Sequence, residues 1–195
     1  MSTREPLVVV GITGPARSGK DTVAKILASH HGFTRVALAD GIRAAFNNLS
    51  GPTWELHKDW GGFNGYLPRQ SMQEMGTECR MDLGNRWLWT DVALASIRYG
   101  ERYHPRRLSR FVIPDIRFPH EHSRIKGIVE EWGGTFECWR VHRDGPAVKG
   151  SHHSSETSID DVPVDVHITN YGLVGNLVLQ VDQSIIGLLA QLPDA

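Results

Sequence analysis

Residues Gly14 to Thr22 read Gly-Pro-Ala-Arg-Ser-Gly-Lys-Asp-Thr and lie between an apolar run, Leu7 to Ile12, and a segment with helical spacing. A strand, a glycine-rich turn and a helix in that order form the context that a phosphate-binding loop requires. Gly14 and Gly19 let the backbone curl so that successive amides and the helix N-terminus face phosphate oxygens, and Lys20 adds positive charge. Ala16, Arg17, Ser18 and Thr22 complete the candidate ATP-binding loop. Asp21 is the one departure, standing where Ser or Thr normally binds magnesium. A carboxylate beside a triphosphate is repelled unless a cation lies between them, so Asp21 is expected to hold Mg2+ directly or through water. The Thr22 hydroxyl is then expected on the α or β phosphate. The alternative for Asp21 is a helix N-terminal charge favoured by the macrodipole.

The chain has 195 residues and is 40% apolar, which suits one domain with a substantial core and leaves little room for two. Lys and Arg number 21 against 22 Asp and Glu, so the net charge of -1 gives no global reason to expect a nucleic-acid coat or a membrane-surface protein. Phosphate chemistry must therefore rest on local arginines. Cys79 and Cys138 stand far apart, without metal-ligand spacing, and read as reduced thiols in a cytoplasmic setting. The first apolar run is too short for a signal peptide or a membrane span.

Val23, Ile26, Leu27 and His30 recur with helical spacing up to Gly32. An apolar segment, Phe33 to Leu38, leads to Asp40 as a candidate N-cap and a short helix over Ile42 to Leu49. Residues 50 to 68, rich in Gly, Trp and Asn, are expected to form a mobile acceptor flap. Helical spacing returns over Arg69 to Leu83 and again over Trp87 to Tyr99, closing at Gly100. Phe111 to Ile113 reads as a buried strand, and Pro119 suits the first turn of the next helix, which ends at Gly133. Thr135 to Val141 and Val164 to Ile168 read as strands, with a polar lid at about 143 to 163 between them; Leu173 to Leu189 is a closing helix. This alternation predicts an α/β fold of the P-loop NTPase type, with about five parallel strands and helices on both faces. Ligands in such sheets bind beyond the strands' carboxyl ends, which sets the P-loop, Asp40, Asp115, Arg117, Arg143 and Asn170 along one rim.

Arg69, Arg80 and Arg117 are the candidates for a second phosphate group, because a guanidinium fork binds phosphate oxygens bidentately. Arg69, Gln73, Thr77 and Arg80 share one helical stripe. Asp115 either orients Arg117 or a magnesium-bound water, or caps a turn. Glu121 either fixes Arg117 or favours the start of its helix. Arg143, Lys149, His152, His153 and Glu156 populate the lid, where basic groups would close over transferring phosphates. The adjacent histidines lack the partners of a zinc site. Trp54, Trp60 and Trp139 are candidates to stack on a base, with core packing as the alternative.

These motifs together resemble the bacteriophage deoxynucleoside monophosphate kinases. The resemblance runs along nearly the whole chain: Gly19 to Ala24 (GKDTVA), Ala37 to Asp40 (ALAD), Met72 to Arg80 (MQEMGTECR), Asp115 to Glu121 (DIRFPHE), His152 to Glu156 (HHSSE) and Ile168 to Asn170 (ITN). It implies an adenylate-kinase-like fold with flap and lid, transfer of the ATP γ-phosphate to a deoxynucleoside 5'-monophosphate with Mg2+, and Lys20, Arg80 and Arg117 as catalytic groups. It also implies that Asp21 is ordinary at its position. A cytoplasmic monomer or homodimer is expected, acting on no nucleic-acid polymer and no membrane. Two other readings stand beside it. A kinase of the dephospho-coenzyme A type would use Asp40 or Asp115 as base for a hydroxyl acceptor. A nucleotide-dependent switch would carry a base-reading NKxD motif, which Thr169-Asn170-Tyr171-Gly172 does not match.

Overall fold

The computed structural model describes residues 5–50, 68–104, 108–143 and 158–192. Its centre is β1 (Val8–Thr13), in which all six residues are buried. Val8, Val10 and Ile12 project to one face of the sheet and Val9 to the other, as the two-residue repeat of a strand dictates. A strand covered on both faces needs apolar residues at consecutive positions, which is why this run shows no alternation.

Around β1 lie β2 (Thr34–Arg35), β3 (Arg110–Ile113), β4 (Thr135–Arg143) and β5 (Val166–Asn170) in the order β2-β3-β1-β4-β5, every neighbouring pair parallel. Val10 stands opposite Val112 on one side and Glu137 on the other. The helices α1 (Lys20–His31) and α6 (Val174–Ala190) cover one face, where Val23, Leu27, Leu177, Val181 and Ile185 close on Val10, Ile12 and Ile168. On the opposite face, α4 (Leu88–Tyr103) and α5 (Pro119–Glu131) bring Leu94, Ile97, Ile125 and Val129 onto Val9, Phe111 and Phe136. Each such fully buried aliphatic side chain contributes about 1.5–3 kcal/mol. Two more helices, α2 (Leu38–Ser50) and α3 (Pro68–Asp82), lie beside α4. The five-stranded parallel sheet with helices on both faces matches the sequence expectation. Among the described residues, no helix is long and apolar enough to cross a membrane.

Several local expectations are corrected. His30 is exposed, off the buried stripe of α1. Only Thr34 and Arg35 of the apolar segment pair as a strand, and α2 starts at Leu38. Asp40 therefore lies inside the first turn of α2 and is not its N-cap. Gly100 does not stop α4, which continues to Tyr103; a Cβ at Gly100 would stand 3.0 Å from the Phe111 ring, so the glycine permits close packing. The final strand begins two residues later than expected, at Val166. The expected flap at 51–67 and most of the lid, residues 144–157, fall outside the described residues and include Trp54, Trp60, Lys149, His152, His153 and Glu156.

Candidate active site

The loop leaving β1 takes left-handed backbone at three positions, Gly14 (φ 136°), Arg17 (φ 63°) and Gly19 (φ 111°). Glycine is required at the first and last. A Cβ on Gly14 would stand 2.4 Å from the Val141 carbonyl, and one on Gly19 would stand 2.7 Å from Asn170 Nδ2. The ends of β4 and β5 thus press against the loop and also bond to it. Asn170 Nδ2 donates to the Ser18 carbonyl at 2.9 Å, and an Arg143 guanidinium nitrogen donates to the Arg17 carbonyl at 3.3 Å. Gly19 opens α1 with no side-chain cap, so the first amides of that helix are presented to an anion.

Arg17, Gly19, Lys20, Asp21, Thr22, Arg143 and Asn170 line a cleft of about 340 Å³. Lys20 Nζ donates to the carbonyls of Gly14 (2.7 Å) and Pro15 (2.6 Å), so a phosphate entering the loop competes with those carbonyls for the ammonium. Ser18 is buried, and its hydroxyl has no hydrogen-bond partner among the described residues. Asp21 is exposed at the mouth of the cleft beside Thr22. Carboxylate and hydroxyl oxygens suit Mg2+, which takes one or two carboxylates together with substrate phosphates. No cluster of three His, Cys, Asp or Glu side chains placed to hold a metal ion occurs among the described residues.

On the other side of β1, the turn after β3 docks directly onto the sheet. The Ile116 amide donates to the Ile12 carbonyl at 3.1 Å, which sets Asp115 and Arg117 beside the exit of β1 into the P-loop. Asp115 Oδ1 accepts the Leu38 amide at 2.9 Å and its Oδ2 accepts the Ala39 amide at 3.0 Å. Asp115 therefore caps α2 from a distant part of the chain, the turn-capping alternative of the sequence reading. Burial pushes its carboxyl upward, and the two amide bonds oppose that. Asp40 is likewise engaged, its Oδ2 accepting the Ala37 amide at 2.8 Å and its Oδ1 pairing with Arg43 at 2.8 Å.

Glu121 Oε2 accepts the amides of Arg117 (2.9 Å) and Phe118 (3.1 Å), and its Oε1 lies 3.9 Å from the Arg80 guanidinium. One buried carboxyl thus orders the turn carrying Arg117 and faces Arg80 across from α3. Burial raises its pKa to about 7, against the pull of the two amides. Arg80 Nε donates to the Gly76 carbonyl at 2.8 Å, and its guanidinium lies 5.8 Å from the centre of the Phe118 ring. Arg117 is exposed. Arg69 and Gln73 fall on α3, as expected.

Trp139 does not reach the site. It is fully buried among the side chains under α1 and α6, and its indole N–H donates to Glu137 at 2.8 Å, so the base-stacking expectation is withdrawn in favour of core packing. Three residues near the arginines were missed in the sequence: Phe118, His120 and Arg86. Phe118 and His120 were visible as aromatic rings two residues apart between Arg117 and Glu121. Arg86 gave no signal beyond its place at a helix junction.

No family model matches the sequence, and no curated protein matches it. Solved structures do. The Mycobacterium tuberculosis APS kinase CysC in complex with AMPPNP and APS is similar over 95% of this chain and 99% of its own, with 15% identity and a TM-score of 0.51. A Chloroflexus aurantiacus protein, provisionally assigned as a kinase, is similar over 95% of this chain and 99% of its own, with 12% identity and a TM-score of 0.54. At such identities the likeness is one of fold, and the fold is that of the P-loop kinases.

Proposed function

We propose that the chain transfers the γ-phosphate of ATP to a deoxynucleoside 5'-monophosphate, in the cytoplasm and with Mg2+. The observation that supports this reading is the docking of the Asp115–Arg117 turn on Ile12, next to the strand that leads into the Lys20 cleft, which we read as the acceptor side. The AMPPNP bound by the Mycobacterium tuberculosis neighbour supports ATP as donor.

In this reading the P-loop amides and Lys20 hold the β and γ phosphates, Asn170 and Arg143 hold the loop, and Arg80 and Arg117 align the acceptor phosphate. Asp21 would hold magnesium, which when bound would neutralise charge on the donor phosphates. The phosphate of the acceptor is already anionic near neutral pH, its second pKa being about 6, so an acceptor oxygen attacks without a general base. What remains for the protein is in-line positioning and screening of like charges.

The hydroxyl-acceptor alternative needs a free carboxylate as base. Asp115 is held by the two amides of α2, and Asp40 by the Ala37 amide and Arg43, which disfavours that alternative. The test is ADP release measured with each deoxynucleoside monophosphate in turn. At least one should stimulate release several-fold over ATP alone; no stimulation by any of them refutes the reading.

A further inference from the structure

We propose that Arg86 and His120 join Arg80 in one anion subsite that takes the phosphate of the acceptor. The inference rests on the reading above for the identity of that acceptor, and on local geometry for the subsite itself. The Phe118 and His120 rings stack with centroids 5.3 Å apart and planes 22° from parallel, and Arg80 lies over the same Phe118 ring. His120 Nε2 is buried without a hydrogen-bond partner among the described residues. A buried ring nitrogen left unpaired is costly, and the expected remedy is an acceptor oxygen.

The charges nearby favour an anion in that role. Arg86 is held at 4.6 Å over the Trp87 ring and has no carboxylate partner among the described residues. Its neighbour over the same ring, Arg124, is neutralised by Asp91 at 3.0 Å. Glu121, with Oε2 on two backbone amides and Oε1 3.9 Å from Arg80, sets one carboxyl against the guanidinium groups of Arg80 and Arg86, so positive charge is in excess at this end of α5. The imidazole responds to that surplus: burial first, then Arg86 and Arg80, holds its pKa below the usual histidine range. A phosphate dianion there accepts from Nε2–H and from the guanidinium fork, reverses the local field, and draws a proton onto His120.

The test is NMR titration of the His120 ring with inorganic phosphate, in wild-type protein and in Arg86→Ala. Phosphate should shift the ring signals and raise the His120 pKa, and the replacement should weaken both effects by about tenfold in phosphate concentration. Arg86 is exposed, so its removal leaves the core intact. In turnover, Arg86→Ala should raise the acceptor KM by about tenfold with the ATP KM within about twofold. A His120 ring indifferent to phosphate, or an ATP KM that rises together with that of the acceptor, overturns the subsite. A phosphate response in a protein that phosphorylates no deoxynucleoside monophosphate supports the subsite and refutes only the proposed acceptor.

Discussion

Replacing Glu121 by Gln should change how the stability of the protein depends on pH. The carboxyl is buried in the first turn of α5, and burial pushes its pKa to about 7 from an ordinary value of 4.5. The difference of roughly 2.5 units, at about 1.4 kcal/mol per unit, amounts to roughly 3–4 kcal/mol in full, of which about 3 kcal/mol falls above pH 4.5. The native state binds this proton more tightly than the unfolded chain does. The contribution is therefore complete below pH 4.5 and is lost as pH rises towards 7. The Gln side chain copies the protonated acid, because its carbonyl can still accept the amides of Arg117 and Phe118. Urea denaturation of both proteins at intervals from pH 4.5 to 8 supplies the measurement. Other titrating groups largely cancel in the difference between the two chains. Glu121→Gln should gain about 3 kcal/mol relative to the parent as pH rises across this range. A difference independent of pH would mean that the carboxyl is ionised at little cost, and the account of its burial would be wrong.

Lys20→Ala should lower phosphoryl transfer by about two to three orders of magnitude while the melting temperature moves little, since the Nζ bonds to the Gly14 and Pro15 carbonyls lie in the loop and not in the core; assay and melting curve together check this. Gly19→Ala should weaken ATP binding more than tenfold by calorimetry, because the left-handed backbone and the Asn170 amide leave no space for a methyl group. Asp115→Ala should cost about 2 kcal/mol in denaturant unfolding by exposing two amides of α2, whereas Asp115→Asn, which keeps one acceptor, should cost less. Equal losses in the two Asp115 variants would count against the capping role.

What was legible in the sequence was what local rules determine. The β1 run, the two special glycines of the loop and the helix from Lys20 follow from burial, backbone freedom and helical spacing inside one continuous stretch, Val8 to His31. Pro119 likewise marked the start of α5. The errors came from distant parts of the chain. The start of α2 depends on a carboxylate 77 positions away, so the nearest acid, Asp40, was taken for the cap. Gly100 looked like a helix stop because its reason for being small, the Phe111 ring, belongs to the next strand. Trp139 was read as a stacking surface, since no local pattern tells which face of β4 meets two helices. Arg86 acquires meaning only when α3, α4 and α5 are brought together.

The loop that cradles phosphate is closed by the Val141 carbonyl and by the Asn170 amide, 127 and 151 positions beyond Gly14 and Gly19 respectively. Contacts that distant form late, because a long loop must close before they gain anything. A chain that has folded only its first βα unit thus holds every residue of the motif and no nucleotide site. On the proposed function, ATP binding would report on the docking of β4 and β5 beside β1 and its loop, and would stabilise the molecule by about 2.7 kcal/mol at a hundredfold excess over Kd.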